Sequence, residues 1–140
     1  MTYFEWTSAI ELGHTQIDEQ HKHLLLLGKD VVVDTLMNSA DHRPPDPAKL
    51  QALIDFTQEH FRFEEGLMRS VAYPRADEHA ESHASLLVDL VAFCRRVQRE
   101  LYADPVGQVG PLWKWFASHI DAEDRDLVVW LKAHEPGGGG

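Results

Sequence analysis

Apolar residues recur at intervals of three and four along four stretches of the chain, and the breaks between them are rich in proline, glycine, aspartate and asparagine. The pattern predicts an all-α protein. The first predicted helix covers about residues 17–37 on a stripe of Ile17, His21, Leu24, Gly28, Val31 and Thr35, and it stops at Asn38 and Ser39. Pro44, Pro45 and Pro47 break the next stretch, although Pro47 also suits the first turn of a new helix. That second helix runs to about residue 70 on Leu50, Leu53, Thr57, His60, Glu64 and Leu67. Tyr73 and Pro74 enforce a corner, because the residue before a proline is pushed out of the α region. A third helix starts near residue 75 on His79, His83, Leu86, Leu90, Phe93, Val97 and Leu101, and ends before Asp104 and Pro105. The fourth is predicted over about residues 111–133 on Leu112, Phe116, His119, Glu123, Leu127 and Trp130. Residues 1–16 read as an arm with Tyr3, Phe4 and Trp6 to pack on the helices, and residues 136–140 as a flexible glycine-rich tail.

Helices of similar length joined by short connections favour antiparallel neighbours, so the expected architecture is an up-down-up-down four-helix bundle within a single domain of residues 1–135. This topology makes a geometric demand on the polar residues that interrupt the apolar stripes. His21 lies near the start of the first helix, His60 and Glu64 near the end of the second, and His79 and His83 near the start of the third. With His119 in the fourth, all fall at roughly one level. One interior layer can gather them.

Composition sharpens what such a layer is for. Acidic residues outnumber basic ones 23 to 13, giving a formal charge of −10, which argues against nucleic acid or an anionic membrane surface as partner. No apolar run approaches the ~20 residues that span a bilayer, and the first residues carry no signal-peptide pattern, so a cytoplasmic protein is expected. Cys94 is the single cysteine and reads as a buried small hydrophobe, which leaves no thiolate cluster; any metal must be held by nitrogen and oxygen. Several imidazoles and a carboxylate are costly to bury without partners, and a metal removes that cost. The pairs His60-x-x-x-Glu64 and His79-x-x-x-His83 each project two donors from one helical face on successive turns. Five imidazoles exceed the needs of one ion that also takes carboxylates, so two ions fit better, and the donor chemistry suits iron over structural zinc or copper.

Residues 6–21 (WTSAIELGHTQIDEQH), 60–83 (HFRFEEGLMRSVAYPRADEHAESH) and 112–124 (LWKWFASHIDAED) resemble the bacterial hemerythrins over nearly the whole chain. The resemblance implies a non-haem di-iron site that binds dioxygen reversibly, for storage, delivery or scavenging. Carried over position by position, His79, His83 and His119 hold one iron and His21 and His60 the other. Glu64 and Asp124 bridge them together with an oxo or hydroxo group. The iron with fewer protein donors keeps the open position for dioxygen. Alternative readings are a di-iron peroxidase or nitric oxide reductase, a sensing module, or a zinc or manganese site that does not oxygenate. No catalytic residue outside the donors stands out on the inner stripes, so binding is favoured over turnover, and no protein partner is indicated.

One carried-over donor conflicts with helix geometry. Five residues turn an ideal helix through about 500°, leaving His119 and Asp124 roughly 140° apart, whereas Glu123 shares the histidine's face. The family pattern nevertheless places aspartate at the fifth position, and a local π-bulge restores convergence. Asp124 is therefore the expected donor, with a distortion between it and His119. Leu24, Phe56, Leu86, Trp115 and Phe116 lie one turn along the stripes as an expected apolar lining, of which Leu24, Trp115 and Phe116 are assigned to the oxygen pocket; Phe116 stands where the family commonly has leucine. His14, His23, His42 and His134 are expected at the surface, and Glu65 outside the metal's immediate donors.

Overall fold

The computed structural model describes residues 6–39, 44–99 and 105–134. Its helices are α1 (Thr15–Ser39), α2 (Pro47–Ser70), α3 (Ala76–Arg99), α4 (Pro105–His119) and α5 (Arg125–His134), with a π-helical turn at Ile120–Asp124 that joins α4 and α5 into one rod. No strand occurs among the described residues. α1 packs on α2, α2 on α3, α3 on α4, and α4 returns to α1, closing a four-rod ring. Residues near the start of α1 and α3 meet residues near the end of α2 and of the fourth rod, which fixes alternating rod directions. The protein is the all-α four-helix bundle that its periodicity predicts. No helix among the described residues is long and apolar enough to cross a membrane.

The second rod starts where its sequence says it should. Asp46 accepts a hydrogen bond from the Ala48 amide at 2.9 Å, and Pro47 occupies the first helical position, where its missing N–H has no partner to lose. At the far end, Tyr73 N donates to Met68 O at 2.9 Å and Ala72 N to Arg69 O at 3.3 Å, a reverse-turn cap that places Ala72 at φ +51°. The corner is then clamped from the fourth rod, where Trp130 Nε1 donates to Val71 O at 3.3 Å. Because a Cβ is disfavoured at positive φ, Ala72→Gly is expected to raise stability by up to about 1 kcal/mol, read as a melting temperature a few degrees higher.

The arm is pinned rather than loosely draped. Gly13 turns it at φ +87°, and the Asp18 carboxylate accepts from the Leu12 and Gly13 amides, both at 2.9 Å. Ile10 and Leu12 are buried beside α1, and the 3-10 turn Ser8–Ile10 packs on the π turn. His14, expected at the surface, is instead 4 % exposed, with Nδ1 accepting from the Ile17 amide at the start of α1. This local cap starts α1 at Thr15, two residues before the expected boundary. Tyr3, Phe4, His42 and the glycine tail lie outside the described residues.

Two further departures have local causes. The fourth rod begins at Pro105 rather than at residue 111, since Pro105 already supplies a helix-starting proline and the exposed Pro111 is carried inside the helix. Its buried stripe also changes phase. Leu112, Phe116 and His119 are buried ahead of the π turn, Asp124 at its end and Leu127, Val128 and Leu131 after it, whereas Glu123 and Trp130 sit half out. The extra residue in the wide turn rotates the following face by one position.

Candidate metal centre

Five imidazoles and two carboxylates from all four rods meet in the buried layer. His21, His60, Glu64, His79, His83, His119 and Asp124 are each at most 7 % exposed. Every imidazole presents Nε2 inward. Glu64 Oε1 lies 3.0 Å from His83 Nε2 and 3.5 Å from His79 Nε2, while Oε2 lies 3.1 Å from His60 Nε2 and 3.6 Å from His21 Nε2. Asp124 divides its oxygens in the same way. Oδ1 is 2.9 Å from His79 Nε2 and 3.1 Å from His119 Nε2, and Oδ2 is 3.1 Å from His21 Nε2. The side chains thus form two overlapping donor groups able to hold metal ions: Glu64, His79, His83, His119 and Asp124, and His21, His60, Glu64 and Asp124. Each carboxylate belongs to both groups, one oxygen apiece.

Most of these contacts are close without being hydrogen bonds. Both oxygens of Glu64, Asp124 Oδ2, and the Nε2 atoms of His21, His83 and His119 are buried with no hydrogen-bond partner. Buried polar atoms are rarely left so, and here their lone pairs converge on common points instead of on each other's protons. Such an arrangement fits cations of borderline hardness, and iron meets that description with nitrogen and carboxylate oxygen donors.

Electrostatics tell the same story. Burial works against a charged His21, yet the adjacent Asp124 and Glu64 carboxylates outweigh it and raise the imidazole to about 9. His79 is raised to about 10 and His119 upward, again against burial and by the same two carboxylates. Burial and the mutual repulsion with Glu64 push Asp124 up, but the surrounding imidazoles hold it well below the usual carboxylate range; Glu64 is likewise held down against its burial by His60, His21 and His79. The two carboxylates are therefore ionised in a dry core, and the charge that balances them falls on the surrounding imidazoles, the side chains whose Nε2 atoms a cation would engage.

The fourth rod delivers Asp124 through the π turn expected from the spacing conflict. Ile120–Asp124 forms that turn, and Asp124 is 1 % exposed beside His119. Glu123 points away from the carboxylate pair, accepting from Ser82 Oγ at 2.8 Å with an oxygen 3.7 Å from His119 Nδ1.

Several contributors escape sequence reasoning. His60 Nδ1 pairs with Gln20 Oε1 at 2.6 Å and His83 Nδ1 with Glu65 Oε2 at 2.8 Å. A proton held at Nδ1 leaves Nε2 as the lone-pair atom facing the centre, so these two side chains set the tautomer and ring angle of two donors. The Phe61 ring stacks on His83, 3.9 Å between centroids and 7° from parallel. Of the expected lining, Leu24, Leu86 and Phe116 are buried, whereas Phe56 is half-buried and packs edge-on against the exposed His23. The Trp115 side chain lies outside the described part of the structure. His134 is exposed and stacks on Trp130. Cys94 is buried, and burial pushes its thiol up to about 11, which leaves it protonated and inert.

Comparison with known proteins adds an independent finding. The family model described as the hemerythrin HHE cation binding domain matches residues 12–131. A bacteriohemerythrin of Ralstonia nicotianae is 31 % identical over 97 % of this chain and 94 % of its own length. A bacteriohemerythrin of Stenotrophomonas maltophilia is 27 % identical over 96 % of this chain and 85 % of its own, and a myohemerythrin of Theromyzon tessulatum 24 % over 86 % and 88 %. No solved structure matches significantly.

Proposed function

Because the chain belongs to the hemerythrin family, we propose that its buried centre holds two iron ions and binds dioxygen reversibly, for storage, delivery or scavenging. In this reading His79, His83 and His119 hold one ion and His21 and His60 the other, with Glu64 and Asp124 shared between them. The observation that carries the proposal is the inequality of the donor groups. One offers five protein donors and the other four, so a small ligand has room on the His21 and His60 side. When bound there, iron supplies the electrons and the open coordination position that reversible dioxygen binding requires.

The chain's own residues do the rest. Gln20 and Glu65 hold His60 and His83 in register. Leu24, Leu86 and Phe116, buried one turn deeper, keep bulk water from the small-ligand side and so restrain oxidation by solvent. Turnover would need a proton donor beside the bound ligand, whereas carriage needs only a dry pocket that fills and empties.

The test is a visible spectrum of the reduced, iron-quantified protein as air is admitted and then removed. A charge-transfer band that appears and disappears reversibly is expected, at two irons per chain. Irreversible bleaching with consumption of peroxide or nitric oxide would replace carriage by turnover, and zinc or manganese in protein purified without added metal would remove oxygenation altogether. Phe116→Leu is expected to change the dioxygen on- or off-rate severalfold at unchanged iron content, because ring volume beside the pocket is lost; stopped-flow kinetics measures this.

A further inference from the structure

The interior one turn below the donor layer contains a hydroxyl that the fold leaves unsatisfied. Thr57 lies midway along α2 with none of its surface exposed, and its Oγ1 has no hydrogen-bond partner. Mid-helix threonine and serine hydroxyls commonly return to the carbonyl four residues back. Thr35 does so, with Oγ1 donating to Val31 O at 2.7 Å, and Ser118 Oγ donates to Lys114 O at 2.9 Å. Thr57 is as buried as Thr35 and does not. Among the described residues, every other partnerless buried side-chain polar atom belongs to one of the seven donors of the candidate centre.

Position gives this orphan its meaning. On an ideal helix Thr57 lies about 20° from the azimuth of Glu64 and about 60° from that of His60, with His60 only about 4.5 Å further along the axis. The hydroxyl therefore continues the line of side chains that supplies two donors of the four-donor group, one turn deeper. Leu24, Leu86 and Phe116 occupy the equivalent depth on the other rods, one turn from His21, His83 and His119, and are apolar and buried. A single O–H in such a layer has nothing to bond until something small enters it.

We propose that Thr57 is a specificity-determining residue whose hydroxyl donates a hydrogen bond to a small ligand taken up beside His21 and His60, favouring ligands with an acceptor atom at their outer end, such as dioxygen and the azide ion. The proposal rests on the small-ligand pocket of the preceding section. Holding an unsatisfied hydroxyl in an apolar layer costs stability, and ligand binding recovers it.

The experiment compares full-length iron-loaded wild type, Thr57→Val and Thr57→Ser. Iron content is expected to be equal in all three. Loss of one hydrogen bond predicts dioxygen release about three- to tenfold faster and azide affinity weaker by a similar factor in Thr57→Val, with Thr57→Ser close to wild type. The independent readout is thermal unfolding without ligand, where Thr57→Val is expected to melt at or above the wild-type temperature because an unpaired buried donor is gone. Unchanged azide affinity and dioxygen release in Thr57→Val would overturn the proposal. So would a lower ligand-free melting temperature, which would reveal a structural partner, or a loss of iron, which would make Thr57 part of the support of the metal. Should the wild type fail to oxygenate reversibly, the carriage reading falls while the azide comparison still decides the role of Thr57.

Discussion

Glu64→Ala is expected to empty both halves of the centre together. Its two oxygens serve different imidazole pairs, Oε1 facing His83 and His79 and Oε2 facing His60 and His21. Truncation lowers one group from five donors to four and the other from four to three. It also leaves raised imidazoles in a dry core facing a single remaining carboxylate. Removing one partner of a buried ionic cluster typically costs about 3–5 kcal/mol, because the survivors stay desolvated and lose their counter-charge. The expected result is a metal content that falls from the proposed two ions per chain to below one, measured by elemental analysis, together with a clearly lower melting temperature. Glu65→Gln is the matched control. Its amide oxygen can still accept from His83 Nδ1, so metal content should hold and affinity drop by about tenfold at most. Two ions retained at wild-type affinity in Glu64→Ala would mean that this carboxylate is not a donor.

What the sequence makes legible follows from which residues violate a local rule. A polar residue on an apolar stripe is a visible conflict, and His21, His60, Glu64, His79, His83 and His119 each present one. Antiparallel topology then brings them to one level without knowledge of any contact. Gln20 and Glu65 create no such conflict, since each is a polar neighbour one position off its stripe and their reach toward Nδ1 depends on side-chain direction. Phe61 is hidden for a related reason. It follows His60 directly, yet in a four-rod interior each helix buries a face wide enough to include it. His14 misleads because its burial comes from capping α1 beneath the arm, a tertiary arrangement that hydrophobic periodicity does not register. Thr57 sits on the stripe and is easily taken for core filler; only the failure of its hydroxyl to bond back to its own helix sets it apart from Thr35.

The second large effect separates two adjacent acids. Asp124→Ala is expected to lose metal and stability as Glu64→Ala does, whereas Glu123→Ala is expected to keep both ions and cost no more than about 1 kcal/mol. A regular helix would predict the reverse, since the fourth residue after His119 shares its face and the fifth does not. The π turn at Ile120–Asp124 inverts the order by widening one turn, which rotates Asp124 inward to His79 and His119 at 2.9 and 3.1 Å and to His21 at 3.1 Å. Glu123 is turned toward Ser82, where its carboxylate is more than a third exposed and replaceable by water. Irregular backbone of this kind persists because the convergence of buried charge offsets its cost, and the same widening carries the phase shift that buries Val128 and Leu131 beside Leu127. Elemental analysis of the two variants side by side decides the matter: metal lost from Glu123→Ala and kept by Asp124→Ala would show that the fourth rod presents the other acid in solution.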